Sequence, residues 1–208
     1  MSVVISGTGL FTPPEKISND ELVACFNHYV DKYNDENEQA ILAEEVTALS
    51  HSSSAFIEKA SGIKSRYVMS KADVLNVDVM RPTFVERPNN ELSLQAEVGV
   101  AAAKQAMAAA NKTADDIDLI IVACAYTQRS YPAMAIEIQQ ALGCSGWGFD
   151  MLVACSAATF GIINAANAIR SGTAKTVLVI NPEILSPQIN YRDRDSHFIF
   201  GDVATASI

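Results

Sequence analysis

Paired cysteines and long apolar runs are both missing from this sequence. Its four cysteines, Cys25, Cys124, Cys144 and Cys155, form no C-x-x-C pair and have no histidine at ligand spacing, which argues against a metal site. Such well-separated cysteines indicate reduced thiols in the cytoplasm. No stretch approaches the roughly 20 apolar residues that span a bilayer, and the first residues lack the segments of a signal peptide. The sequence therefore predicts a cytoplasmic protein with no metal and no membrane partner.

Positive charge is also scarce. The chain has 15 Lys and Arg against 24 Asp and Glu, a net charge of −9. This balance argues against nucleic acid as a partner, because phosphates favour a basic face. A local basic patch for an anionic ligand remains compatible with it. An apolar fraction of 49% with ordinary glycine and proline content predicts a folded α/β body.

Predicted strands and helices alternate along the chain, which indicates a layered α/β fold with a mostly parallel mixed sheet. The predicted strands are Val3–Gly9, Leu119–Cys124, the run from Trp147 to Cys155, Thr176–Ile180, and a terminal hairpin of Phe198–Phe200 with Val203–Ile208. Five helices are predicted. The first begins near Ser18, and the others span residues 52–62, Asn89–Asn111, Ala133–Leu142 and Cys155–Gly172.

Two segments are predicted to be insertions that run over the surface. Residues 31–50 are polar and acidic, and residues 70–88 show no steady period. Irregular segments of this length are often functional covers. We treat residues 1–208 as one domain with cap insertions near 31–60 and 70–88. The chain stops within the apolar segment Ala204–Ile208, so we expect it to continue in the complete protein.

Cys155 is the strongest candidate for chemistry. An apolar run that predicts a buried strand ends at it, and Ser156 starts a predicted helix of small residues. The N-terminus of a helix offers unpaired N–H groups and partial positive charge, and both favour the nucleophilic thiolate. On the residues alone, a small inert thiol in the core is an equally good interpretation.

Five ordered segments resemble the β-ketoacyl-acyl-carrier-protein synthase III enzymes of the thiolase superfamily. The segment Met151–Ala157 is similar to the one that carries the family's nucleophile. Val4–Gly9 is similar to the family's first strand, and Ser61–Arg66 to its glycine-isoleucine-x-x-arginine turn. Tyr131–Gly143 is similar to the helix before the nucleophile, and Phe200–Asp202 to a phenylalanine-glycine-aspartate turn. The resemblance implies a thiolase-like fold, α/β/α/β/α when complete, of which this chain is the N-terminal half.

The resemblance also implies a reaction. Cys155 attacks the thioester of acyl-coenzyme A and holds the acyl group, and malonyl-acyl-carrier protein then loses carbon dioxide and attacks the acyl-enzyme. The product is a β-ketoacyl-carrier protein of fatty acid biosynthesis. No cofactor beyond these substrates is implied, and the partners are acyl-coenzyme A, the carrier protein and a second copy in a homodimer.

The family's oxyanion donors include a histidine and an asparagine from its C-terminal half. None of His28, His51 and His197 stands in the family's histidine motif, and we expect His197, in a predicted strand, to be structural or on the surface. We therefore expect no condensing activity from residues 1–208 alone.

The resemblance has implications for four further positions. Arg194 matches an arginine that contacts coenzyme A, and a solvated charge is the alternative. Phe56 falls where the family often has a tryptophan that stacks on adenine, but helix core would also explain it. Ala60 replaces a family arginine near the nucleotide, which puts the usual coenzyme A pose in doubt. Tyr131 matches an aromatic residue that reaches the partner subunit's acyl pocket, with a turn residue as the alternative.

Other interpretations stay open. The expanded segments 31–50 and 70–88 suggest room for a medium or long acyl chain in place of acetyl. A related thiolase-superfamily condensing enzyme, or an acyltransferase of secondary metabolism, would share the same motifs. A non-catalytic partner subunit would be expected to lose the nucleophile, which this chain keeps. Cys124 and Cys144 open no helix and are interpreted as buried thiols.

Overall fold

A computed structural model of the chain describes residues 2–208 and divides them into two compact units. The first unit contains residues 2–12, 86–183 and 203–208, and the second contains residues 13–85 and 184–202. Residues 31–60 and 70–85, where the sequence suggests insertions, belong to the second unit. No helix within residues 2–208 combines the length and apolar character needed to cross a membrane.

The first unit is built on a five-stranded sheet. Its strands are β1 (Thr8–Phe11), β4 (Leu119–Cys124), β5 (Trp147–Leu152), β6 (Val177–Ile184) and β7 (Asp202–Ser207), in the order β1-β7-β6-β4-β5. Strand β4 runs parallel to β5 and β6, whereas β1 is antiparallel to β7. Every residue of β4 is buried, as the continuous apolar run predicts for a central parallel strand. The α/β class and the mixed sheet are therefore confirmed.

Helices cover both faces of this sheet. They are α4 (Leu94–Ala109), α5 (Met134–Leu142) and α6 (Ala157–Arg170). Gly99 of α4 lies against Ile138 of α5 and Ile180 of β6, on one face. Gly161 of α6 lies against Val179 and Ala123, whose side chains point to the other face. The result is a three-layer α/β/α arrangement.

The first strand begins later than predicted. Residues 2–7 form no strand, and β1 starts at Thr8. The glycines predicted as a turn instead permit close packing on α4, because a Cβ at Gly9 would lie 2.0 Å from the Ala102 carbonyl oxygen. Helix α4 likewise starts at Leu94 and not at Asn89, since the Ser93 hydroxyl caps it by accepting the Ala96 N–H.

Two strand predictions are corrected. The terminal hairpin does not form: residues 198–200 lie outside any strand, and β7 pairs with β1. Strand β5 is not buried. It is the last strand of the sheet, and Trp147 and Leu152 at its ends are 48% and 56% exposed. Central strands and exposed edge strands can have the same apolar composition, so composition alone could not show that β5 lies at the edge.

The second unit has its own core and a small antiparallel sheet of β2 (Glu15–Ser18) and β3 (Ser65–Val68). Its helices are α1 (Asn19–Glu36), α2 (Glu38–Leu42) and α3 (Ser54–Ser61). Helix α1 begins as predicted, because the Ser18 hydroxyl accepts the Glu21 N–H while the Glu21 carboxylate accepts the Ser18 N–H. No helix or strand is assigned between Val68 and Leu94, in agreement with the irregular pattern of residues 70–88.

Candidate active site

Cys155 lies in a tight turn between β5 and α6. One residue after β5 ends, the Val153 N–H donates to the Cys124 carbonyl oxygen at 3.2 Å, which continues the pairing with β4. A single turn of 3₁₀ helix, Ala154–Ser156, then leads into α6. The predicted order of strand, cysteine and helix is therefore observed, with the cysteine one short turn ahead of the helix.

The turn is strained at the residue before the thiol. Ala154 has a φ of +46°, in the left-handed region that costs a non-glycine residue about 1–2 kcal/mol. Hydrogen bonds hold it there: Ser156 N–H donates to the Val153 carbonyl at 3.1 Å, and Ala157 N–H donates to that of Ala154. Two of the amides expected to be free at the helix N-terminus are thus paired within the turn. The positive end of the α6 dipole still lies next to Cys155.

Exposure separates Cys155 from the other three cysteines. Its side chain is exposed, whereas Cys25, Cys124 and Cys144 are buried. Burial raises the pKa of all three buried thiols, and that of Cys124 reaches about 12. A thiol with such a pKa is protonated and unreactive at neutral pH. Of the four thiols, that of Cys155 is the accessible one.

Close packing positions α6 under this turn. A Cβ at Gly161 would lie 2.6 Å from Val179 Cγ1, so the helix approaches the sheet more closely than any residue with a side chain would allow. Ala157 and Ala165, on the same face of α6, are also buried. The small residues noted in the sequence are therefore the contact surface of the helix that carries Cys155.

Two acidic side chains near this end of the sheet went unnoticed in the sequence. Asp150 of β5 accepts the N–H groups of Met134 and Ala135, at 2.7 and 2.8 Å, at the start of α5. Glu183 of β6 accepts the Ala125 N–H at 2.8 Å. The sequence pattern that could have identified them is a charged residue within or at the end of an apolar strand, because a buried acid needs a specific hydrogen-bond partner.

Tyr131 lies in the first unit, on the loop between β4 and α5, and is 90% exposed. Its loop is anchored two residues earlier. Arg129 donates to the Glu137 carboxylate at 2.5 Å and to the carbonyl oxygen of Glu91 at 2.7 Å. An ordered loop thus presents an aromatic ring to solvent.

Arg194 and Phe56 belong to the second unit, and the fold brings them together. The Arg194 guanidinium carbon lies 4.1 Å from the centroid of the Phe56 ring, a cation–π geometry. Arg194 Nε donates to the His51 carbonyl at 2.8 Å, and Phe56 also meets Phe198 edge-on. Both side chains are partly exposed. Phe56 also packs against the core of this unit, so both its implied role and the helix-core alternative stay open.

The three histidines all belong to the second unit. His197 does not lie in a strand as predicted but is buried at 1% exposure, stacked on Phe26 with ring centroids 4.6 Å apart. His51 is exposed and pairs with Asp31 at 2.6 Å, and His28 is exposed on α1.

Residues 149–208, which include Cys155 and its helix, match the family model of 3-oxoacyl-[acyl-carrier-protein (ACP)] synthase III. The chain is 55% identical over 183 residues to the beta-ketodecanoyl-[acyl-carrier-protein] synthase of Pseudomonas aeruginosa. These residues make up 88% of this chain and 52% of that protein. It is 32% identical over 205 residues to the beta-ketoacyl-[acyl-carrier-protein] synthase III of Granulibacter bethesdensis, covering 98% of this chain and 50% of that protein.

The fold is similar to a solved structure with a matching description. The crystal structure of 3-oxoacyl-[acyl-carrier-protein] synthase III from Aquifex aeolicus superimposes with a TM-score of 0.71 at 27% identity, over 98% of this chain and 52% of that one. The chain thus spans about half the length of the curated relatives it matches.

Proposed function

We propose, from the premise that this chain belongs to the 3-oxoacyl-[acyl-carrier-protein] synthase III family, that Cys155 is its acyl-carrying nucleophile. The observation that carries the proposal is the exposed thiol in the strained turn before α6, within the segment that matches the family. A thiol that is both accessible and next to a helix N-terminus is suited to attack on carbon.

The first half-reaction is a transfer between thioesters. The Cys155 thiolate attacks the carbonyl carbon of acyl-coenzyme A, a bond forms between that carbon and Sγ, and the bond to the coenzyme A sulfur breaks. Coenzyme A leaves as a thiolate and takes a proton from water. In the second half-reaction, malonyl-acyl-carrier protein loses carbon dioxide and the resulting carbanion forms a bond to the acyl carbonyl carbon. The bond from that carbon to Sγ breaks and releases the Cys155 thiolate. The product is a β-ketoacyl-carrier protein for fatty acid synthesis.

We further propose a medium-chain acyl donor. The P. aeruginosa relative is named for a β-ketodecanoyl product, and a decarboxylative condensation with a malonyl group adds two carbons, so octanoyl-coenzyme A is the matching donor. Residues 31–50 and 70–85, the long segments that suggest room for a longer acyl chain, belong to the second unit. The Arg194 and Phe56 pair supports binding of the coenzyme A end, because its partly exposed cation and ring suit phosphate and adenine.

We also propose that the protein is a cytoplasmic homodimer. Its support is the ordered loop that exposes Tyr131 and the apolar ends of β5, Trp147 and Leu152, which lie open to solvent on the outermost strand. Exposed apolar surface and an unpaired strand edge are features that a second subunit would cover.

The acylation step tests the proposal directly. Incubation of the protein with octanoyl-coenzyme A is expected to add one octanoyl group to the peptide that carries Cys155, read by peptide-mapping mass spectrometry. Cys155→Ala should abolish the adduct, while Cys144→Ala, which removes a buried thiol, should retain it. An unmodified Cys155 would contradict the proposed nucleophile and favour a non-catalytic subunit. Faster acylation by acetyl-coenzyme A would contradict the medium-chain assignment alone.

A further inference from the structure

Glu183 is a half-buried acid at the carboxyl end of β6 that the proposed reaction does not use. In the parallel register of β6 and β4, Ile180 lies beside Val122, so the end of β6 runs alongside the residues that follow Cys124. The Ala125 N–H donates to Glu183 Oε1 at 2.8 Å. The second oxygen, Oε2, is buried and has no hydrogen-bond partner among residues 2–208.

One peptide group connects this carboxyl to the turn that bears the thiol. Its N–H, from Ala125, donates to Glu183. Its carbonyl, from Cys124, accepts the N–H of Val153 at 3.2 Å, two residues before Cys155. Because hydrogen bonds on the two sides of a peptide polarise each other, a stronger bond to Glu183 strengthens the bond to Val153.

The turn needs such support. Ala154 is held in the left-handed region, and a strained residue persists only where the surrounding bonds over-determine it. The Val153 N–H bond is the last connection to β4 before the strained residue. Loss of the Ala125 anchor would loosen the β4 end and allow the turn to relax.

Glu183 also lies on the same face of the sheet as α6. Alternate residues of β6 share a face, and Val179, which packs on Gly161 of α6, is four residues before Glu183. The carboxyl is therefore on the side of the sheet where α6 begins. A negative charge on that side of the sheet disfavours a thiolate at Cys155, since like charges repel.

We propose that Glu183 is a positioning residue for Cys155: through the Cys124–Ala125 peptide it holds the strained turn, and its charge state tunes the reactivity of the thiol. The role rests on the proposed function of Cys155 as the nucleophile. Glu183 lies on β6, outside the sequence motif around the cysteine, so the motif alone does not identify it.

The charge state of Glu183 changes near neutral pH. Burial raises the pKa of its carboxyl to about 7, although the hydrogen bond from Ala125 acts in the opposite direction. The titratable groups on the neighbouring strands are the Cys124 thiol, which is protonated throughout this range, and Asp150, whose carboxylate is held by the α5 amides. On α6 the charged residue is Arg170, at the opposite end of the helix from Cys155.

The test measures the rate at which iodoacetamide alkylates Cys155 between pH 5.5 and 9, by peptide mapping. The wild-type profile is expected to show an inflection near pH 7 in addition to the ionisation of the thiol. Glu183→Gln keeps an oxygen that accepts the Ala125 N–H but does not titrate. It should lose the inflection and alkylate about two- to five-fold faster at pH 8. Glu183→Leu removes the acceptor and should alkylate roughly ten-fold more slowly.

Glu91→Gln, at an exposed glutamate of the same unit, is the matched control and should reproduce the wild-type profile. A Glu183→Gln profile that superimposes on that of the wild type would overturn the proposal, as would wild-type alkylation rates in a folded Glu183→Leu protein. If Glu183→Leu does not fold by circular dichroism, the Glu183→Gln profile decides. Alkylation needs no acyl-coenzyme A, so a wild-type protein that fails to acylate Cys155 would overturn the proposed function and leave this test intact.

Discussion

Burial changes the protonation of single side chains in this protein, and His197, which lies outside the candidate site, is an example. Its ring stacks on Phe26, and Nδ1 lies 2.9 Å from the Arg194 carbonyl oxygen, so Nδ1 carries the proton and donates it. Burial lowers the pKa of His197, and the bonds to backbone carbonyls offset part of that effect. The folded state therefore holds a neutral imidazole under conditions in which the unfolded chain would protonate it.

This predicts a loss of stability on acidification. Below the unfolded pKa of about 6.5 the unfolded chain binds more protons than the folded protein, so the free energy of unfolding falls as pH decreases from there towards the lowered folded value. Thermal unfolding from pH 7.5 to 5.5 should show a smaller decrease for His197→Phe than for wild type. Glu183 contributes with the opposite sign, so the difference between the two proteins is the relevant quantity.

His28→Gln, at an exposed histidine, should keep the wild-type slope. Equal slopes for wild type and His197→Phe would show that His197 is not the responsible group.

At the scale of elements, α6 and its contact with β6 decide where Cys155 lies. The helix approaches the sheet through Gly161, Ala157 and Ala165, positions with no side chain or a single methyl group, which leaves little room to absorb a displacement. Close-packed cores transmit such changes to the attached turn.

Gly161→Ala is therefore expected to impair acylation. The new Cβ would lie 2.6 Å from Val179 Cγ1, so α6 must shift outward and carry the Cys155 turn with it. We expect a destabilisation of about 1–3 kcal/mol by thermal unfolding and a several-fold slower octanoylation of Cys155. Asn167→Ala, on the exposed face of the same helix, should change neither by a comparable amount. Unaltered stability and acylation in Gly161→Ala would show that the packing is not as tight as described.

At the scale of the whole molecule, Cys155 and the histidines are divided between two units, each with its own core. Cys155 belongs to the first unit. In the second, His197 is part of the core, His51 is paired with Asp31, and His28 is exposed on α1. None of them stands in the histidine motif that the family resemblance requires for condensation.

We therefore expect the two half-reactions to separate in residues 1–208 alone. The acyl transfer from coenzyme A uses the Cys155 thiol as its nucleophile and should still produce an acyl-enzyme. Condensation with malonyl-acyl-carrier protein needs additional oxyanion donors, so no β-ketoacyl product should form. Mass spectrometry of the carrier protein after incubation with octanoyl-coenzyme A distinguishes the outcomes. Measurable β-ketoacyl-carrier protein would contradict this expectation.

Much of the fold was predictable from local pattern. The buried strand β4 agrees with its prediction residue for residue, because a continuous apolar run between turn signals has few other solutions in an α/β protein. The start of α1 and the end of α3 at Gly62 were predictable from capping residues alone. The start of β1 and the absent hairpin were not, because strand pairing depends on partners far away in the sequence.

The sequence by itself determined the family, the candidate nucleophile and most of the elements, because these depend on residue type and short-range order. Only the tertiary structure decided which of four thiols is exposed, that Arg194 meets Phe56, and that Glu183 is linked to the Cys155 turn. Burial and hydrogen bonding arise between segments distant along the chain. Glu183 and Ala125 are 58 residues apart, and no local pattern specifies that contact.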